Sequence, residues 1–325
     1  MITKQELIEN PKDLKPHVVL LGAGASKAAF PNGDKSGNEL PVMNDLAKIL
    51  SLNNLLTKNN INPSENFETI YSQITDDGLK KEIESRIIDY FSKLSLPEHV
   101  TIYDQLLLSL REKDAIFTFN WDPFLFDAYK RNSDIVSLPQ IFFLHGNVRI
   151  GACEACDKWG EKNTYCPECD IRFKDVPLLY PIKNKSYFQS SKYTALSWKK
   201  AESWFSEAFT ITIFGYSAPT SDIEAVSLLN KAWLHISERQ FEHVEVIDIL
   251  STNILSEKWK SFTPTHHLSS QNSFENSRLW RWPRRSCESL LYPMARGIPC
   301  EDFPLSKTKK LDQLHVEIQS ISNYE

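Results

Sequence analysis

Three short stretches hold the residues best suited to chemistry. "FTFNWDPF" carries Thr118, Asn120 and Asp122, "FFLHGN" carries His145, and "HVVLLGAGAS" carries Gly22, Ala23, Gly24 and Ser26. In an extended strand the alternate residues Thr118, Asn120 and Asp122 share one face. Three polar groups on one face of a buried strand each need a partner or a ligand. His145 stands just before a glycine that lets a ligand or a backbone come close. Gly22 and Gly24 admit positive φ and close approach of a backbone to phosphate, and Ser26 offers a hydroxyl or a helix cap. Plainer readings stand beside these. Asn120 and Asp122 could cap the next helix, His145 could be a satisfied core histidine, and the glycines could be a bare strand-to-helix turn. Lys27 occupies the third small position of the usual dinucleotide fingerprint. Asp45, at the fingerprint's expected distance for an acid, lies in the amphipathic stretch "LPVMNDLAKIL", so this is not the standard turn.

Two later stretches add candidates. "FGYSAPTSD" offers Gly215, Ser217 and Asp222, and "HVEVIDIL" places Asp248 among apolar residues. An acid there is costly unless it receives hydrogen bonds, which ribose hydroxyls or a neighbouring loop would supply.

The elements that must position these groups are five apolar runs rich in β-branched and aromatic residues, at 17–24, 115–122, 140–147, 209–217 and 243–250. Helical patterns separate them, including "ELPVMNDLAKILSL", "LKKEIESRIIDYFSKL", "IYDQLLLSLREKD", "SWKKAESWFSEAF" and "DIEAVSLLNKAWLHISERQ". Strands alternating with helices predict an α/β fold, a doubly wound parallel sheet of Rossmann-like type, with a helical insertion between the first two strands. All five runs end in polar or glycine residues, where such sheets bind ligands. A single domain over 1–325 is expected. Its stretch 263–325 reads as a C-terminal cap or tail with no strand of its own.

"CEACDKWGEKNTYCPEC" within 151–172 is C-x2-C-x9-C-x2-C, and its thiols Cys153, Cys156, Cys166 and Cys169 match the closed shell of structural zinc in a small ribbon. Disulfides or free thiols are the plainer alternative. The 325 residues carry a formal charge of −5, which argues against a surface built throughout for nucleic acid. A local basic patch stays open at 278–285, "RLWRWPRR". That segment suits single-stranded nucleic acid, a cation–π surface or a lid over phosphates, and structural packing or a subunit contact is the plainer and preferred reading. No apolar run reaches the ~20 residues of a membrane span. The amino terminus lacks the apolar block of a signal peptide, so a cytoplasmic protein with no membrane partner is expected.

Taken in order, Gly22-Ala23-Gly24-Ala25-Ser26, Thr118-Phe119-Asn120-Trp121-Asp122, His145-Gly146, the two Cys-x-x-Cys pairs and Gly215-Tyr216-Ser217 resemble the sirtuin pattern. The resemblance spans residues 17 to about 250. It implies a sirtuin-like fold, NAD as substrate, and structural zinc. By resemblance Asn120 would position the nicotinamide ribose and the attacking water, Asp122 would bond the nicotinamide amide, and His145 would be the general base. Gly22, Ala23, Gly24, Ser26, Thr118, Gly215 and Ser217 would face the cofactor. Asp248 would take the adenosine ribose, where the family more often has Asn. The chain departs from the deacylases. It lacks their Pro-Asp-Phe-Arg loop and Phe-Gly-Glu segment, and Phe119 replaces their Gln. This combination resembles the prokaryotic sirtuin-like proteins of antiphage defence, which destroy NAD. It implies an NAD glycohydrolase controlled by homo-oligomerisation or by a separate sensor protein. Protein deacylation, ADP-ribosyl transfer and non-catalytic binding of NAD or ADP-ribose are the alternatives.

Overall fold

The first apolar run forms β1 (His17–Leu21), buried at all five positions. Its neighbours are β2 (Ala115–Thr118), β3 (Gln140–Phe143), β7 (Thr210–Phe214), β8 (His243–Ile247) and β9 (Leu268–Gln271). A smaller sheet holds β4 (Ile150–Cys153), β5 (Lys158–Glu161) and β6 (Lys174–Asp175). These come from a computed structural model that describes all residues except 181–190, 219–221, 223–224, 228–229, 232–242, 261, 263–266 and 309.

The main sheet runs β3-β2-β1-β7-β8-β9 with every pairing parallel. With the three small-sheet strands set aside, this is the 3-2-1-4-5-6 order of doubly wound sheets, with its switch point between β1 and β7. Alternate residues of each strand feed opposite layers, as the period of two requires. Val18, Leu20 and Phe117 pack with the helix Lys192–Glu207 through Trp198 and Phe205. Val19, Leu21 and Ile116 pack beneath the helical insertion, against Phe67, Ile87 and Leu107 among others. Burial on both faces explains why the strands read as continuous apolar runs.

Three expectations need correction. The strands stop at residues 21, 118, 143, 214 and 247, short of the ends read from sequence. Asn120 and Asp122 therefore lie in the loop after β2 and do not share a strand face with Thr118. In the insertion, "ELPVMNDLAKILSL" is helical only at Leu46–Ile49, followed by Asn53–Lys58, Phe67–Gln73, Asp77–Lys93 and Ile102–Leu108. The pattern "DIEAVSLLNKAWLHISERQ" falls largely outside the described residues. Finally, the C-terminal stretch does contribute a strand, the edge strand β9, through Val244↔Leu268 to Ile247↔Gln271.

In the segment 278–285, Arg284 and Arg285 are buried packing residues, while Arg281 is exposed and bears out the cation–π reading. Arg285 is fully buried and donates from Nη1 to Glu325 Oε1 at 2.5 Å. Arg284 is also buried and pairs with Glu325. Arg281 pairs with Asp302 at 2.7 Å and lies 4.3 Å from the centroid of the Trp282 ring. Among the described residues no helix is long and apolar enough to cross a membrane.

Candidate active site

The site begins where β1 and β7 part. Gly22 leaves β1 extended (φ −120°), and the helix Ala23–Ala29 follows. Neither Gly22 nor Gly24 has positive φ, contrary to the expectation from sequence. What they supply is room. A Cβ on Gly22 would lie 2.6 Å from the Gly215 carbonyl oxygen, and one on Gly24 would lie 2.9 Å from Gly215 Cα. Gly215 does need the left-handed region (φ +62°), and a Cβ there would sit 2.0 Å from the Ala25 nitrogen. The Gly22 and Gly24 N–H groups donate to the Phe214 and Gly215 carbonyls at 3.0 and 2.9 Å, and that of Ala25 to the Gly22 carbonyl at 2.9 Å. The glycines thus lock two backbones together at the switch point, and these three N–H groups are already used within the protein.

That interlock forms the floor of a cavity of about 760 Å³. Gly22, Ala23, Gly24 and Ser26 line it from the first turn, Asn120 and Asp122 from the second, and His145 from the third. Gly215, Ser217 and Asp222 line it after β7, and Asp248 after β8. Thr118 is not among the lining residues. Its Oγ1 accepts the Asn120 backbone N–H at 3.0 Å and so shapes the loop behind the site. Asp248 follows the strand; its Oδ1 accepts from the Leu250 N–H at 2.9 Å. Asp45 stands just before the helix Leu46–Ile49, not within one as expected, and pairs with Lys27 at 2.6 Å. An apolar wall from the insertion, including Val42, Met43, Phe91 and Ile102, closes the other side.

Inside the cavity the polar groups form one network. Ser26 Oγ donates to Asp122 Oδ2 at 2.6 Å, and Asn120 Nδ2 donates to the Gly22 carbonyl and to Ser26 Oγ, both at 2.9 Å. Asp122 Oδ1 also accepts the Phe124 N–H at 3.2 Å, at the first turn of the next helix, as the capping reading expected of Asp122. His145 is buried beside Phe119, ring centroids 4.6 Å apart, and Phe119 stacks on Tyr216 at 4.4 Å. The Leu179 N–H donates to the His145 carbonyl at 2.9 Å, which ties the histidine to the chain returning from the small sheet.

Two members escaped sequence reasoning. Tyr103, fully buried in the helix Ile102–Leu108, brings its hydroxyl within 2.6 Å of Ser26 Oγ and 3.2 Å of Asn120 Nδ2. Asn147 donates from Nδ2 to the Asp122 carbonyl at 2.6 Å and holds that loop in place. Its only signal was its place just after His145-Gly146.

Burial pushes the Asp122 carboxyl up to about 6, against the hydrogen bonds from Ser26 and Phe124 that lower it. Because folding raises this value from 3.8, the folded chain holds the proton more tightly than the unfolded chain. The stability so gained is complete below the unfolded value and is lost as pH rises through about 6. A shift of roughly two units is worth about 3 kcal/mol. Relative to the wild type, Asp122→Asn is therefore expected to gain up to about 3 kcal/mol of unfolding free energy between about pH 4 and pH 7. Urea unfolding at both pH values reads this directly, and a difference independent of pH would contradict it.

The four thiols of Cys153, Cys156, Cys166 and Cys169 lie within 4.8 Å of one another, with Cys153 Sγ and Cys169 Sγ 3.5 Å apart. Zinc–sulfur bonds of about 2.3 Å in a tetrahedron place sulfurs roughly 3.8 Å apart, so the cluster fits structural zinc. Four thiolates fill that shell, and none of the four cysteines lines the cavity.

No protein-family model matches the chain, and no curated protein matches it in sequence. Among solved structures it is similar to a Sir2 homologue in complex with NAD, at 13% identity and TM-score 0.37, covering 98% of this chain and 94% of that one. It is also similar to a Sir2 homologue variant in complex with ADP-ribose, at 13% identity and TM-score 0.39, covering 99% of each. A sirtuin structure addressing substrate affinity aligns at 17% identity and TM-score 0.39, covering 80% of this chain and 89% of that one.

Proposed function

We propose that this chain is an NAD glycohydrolase, cleaving the bond between nicotinamide and ribose to give nicotinamide and ADP-ribose. The observation that carries the reading is the convergence of Asn120, Asp122, Ser26 and His145 on one cavity at the sheet's switch point. The sequence resemblance supplies the substrate. A doubly wound sheet of this order binds dinucleotides across that crevice.

Cleavage breaks the C1′–N bond, its electron pair leaves with nicotinamide, and positive charge develops on the ribose. The protein's share is to hold the reacting parts in place and offer negative ends of dipoles to that charge. Asn120 Nδ2 is bound to the Gly22 carbonyl, so its oxygen is the end left for a ribose hydroxyl or water. Asp122, ionised above about pH 6, would accept from the carboxamide of nicotinamide and orient the leaving group. Water then bonds to C1′ and gives up a proton, which His145 would take. The four-thiolate cluster has no part in this chemistry.

Incubation with NAD in the presence and absence of an acetyl-lysine peptide tests the reading. Nicotinamide release independent of peptide is expected. Release only with peptide would favour a deacylase, and thermal stabilisation by NAD without turnover would favour a binding module. Depletion of NAD during phage infection, restrained by self-assembly or a sensor partner, is the biological role proposed with this activity. It rests on the resemblance.

A further inference from the structure

The hydroxyl of Tyr103 sits at the far end of the active-site network, and proton counting fixes its part there. An ionised Asp122 carboxylate only accepts, so the single Ser26 proton goes to Asp122 Oδ2 at 2.6 Å. Asn120 Nδ2 only donates, so Ser26 Oγ accepts from it at 2.9 Å. The remaining contact, Tyr103 to Ser26 at 2.6 Å, must then be made by the phenol proton. Burial beside Asp122 raises the Tyr103 phenol well above its ordinary value, so it stays a donor. Its oxygen in turn accepts from Asn120 Nδ2 at 3.2 Å. The chain thus has one direction, from Tyr103 through Ser26 to Asp122. Asn120 Nδ2 shares its two protons among three acceptors: the Gly22 carbonyl and Ser26 at 2.9 Å and, more weakly, Tyr103 at 3.2 Å.

We propose that Tyr103 is a positioning residue for the cleavage: its O–H orders Ser26 and so sets which end of the Asn120 carboxamide faces the substrate. This rests on the reading of the cavity as the cleavage site. Without the phenol, Ser26 has no donor on that side and its proton is free to turn away from Asp122. The most distant of the three acceptors that share the two Asn120 Nδ2 protons is lost as well. The Tyr103 ring, edge-on to Phe30 at 5.8 Å, keeps its packing in Tyr103→Phe.

The test follows both turnover and the Asp122 carboxyl. Tyr103→Phe is expected to lower kcat for nicotinamide release on the order of 10²-fold, as small misplacements do, with KM close to the wild-type value. The titratable groups facing Asp122 are Tyr103 and Asp127. A weaker Ser26 bond leaves the carboxylate less stabilised, so its titration should move to higher pH by roughly half a unit or more. Carbon-13 NMR of the labelled side-chain carboxyl, assigned with Asp122→Asn, reads this in the full chain without turnover. Ser26→Ala cuts the same chain without touching the Tyr103 ring, and should shift the titration in the same sense.

Wild-type kcat in Tyr103→Phe, or an unmoved Asp122 titration in both variants, would overturn the inference while leaving the cavity's assignment intact. A wild-type protein that releases no nicotinamide would instead overturn the assignment, and with it any part for Tyr103 in cleavage. The carboxyl titration would still decide whether Tyr103 orders Ser26.

Discussion

Replacing Asn120 by alanine is expected to lower nicotinamide release by about 10³-fold, the upper end of what removing one preorganised polar group costs. The side chain is buried, with Nδ2 fixed by the Gly22 carbonyl, Ser26 and Tyr103. Its oxygen is therefore delivered to the cavity without reorganisation at the moment of reaction. The same variant should remain folded. Losing the side chain removes two buried N–H donors and leaves their acceptors unmet, at about 1–3 kcal/mol for each, which a core of this size can carry. Activity assays beside a thermal melt separate the two effects. A folded Asn120→Ala protein that retains wild-type turnover would remove this residue from the mechanism.

Gly215→Ala is expected to be the most damaging single change to the fold at this site. The new Cβ would stand 2.0 Å from the backbone nitrogen of Ala25 and 2.3 Å from the Gly24 carbonyl carbon. Neither is a side chain that can swing aside. Relief requires separating the two turns that form the cavity floor, with loss of the Gly24 N–H bond to Gly215. A cost on the order of 4 kcal/mol or more places it with backbone strain and core overpacking, the most severe kinds of substitution. Gly37→Ala is the matched control, because Gly37 also has positive φ (+82°) but nothing within 4 Å of its would-be Cβ. It should cost only the strain of the left-handed conformation, about 1 kcal/mol. Equal losses in the two variants, measured by denaturant unfolding, would show that the interlock contributes little.

The strands were legible because both their faces are buried, so apolar residues run without interruption. The same feature hid where they end. Phe119 and Trp121 are buried and aromatic like the strand before them, yet they belong to the loop that carries Asn120 and Asp122. The edge strand β9 reads "LSSQ" and is only half buried, so it gave no apolar signal.

Of the site, Ser26, Asn120, Asp122 and His145 stood out as polar residues following apolar runs. Tyr103 did not, because its neighbours are leucines of a buried helix 77 residues from Ser26. For Gly22 and Gly24 the expected positive φ is not found, and what the structure shows in its place is the room they leave for Gly215. Close approach of Gly22 and Gly24 to Gly215 is a contact between segments more than half the chain apart, and backbone angles cannot be read from residue type. In 278–285 the partner of the arginines could not be named from sequence, because the carboxylate that pairs with two of them, Glu325, lies some 40 residues further on.

The most direct measurement is chromatography of the products formed from NAD by the purified chain alone. Equal amounts of nicotinamide and ADP-ribose, appearing together without any peptide and absent from His145→Ala, are the predicted result. Intact NAD after prolonged incubation, or nicotinamide released at an unchanged rate by His145→Ala, would contradict the account.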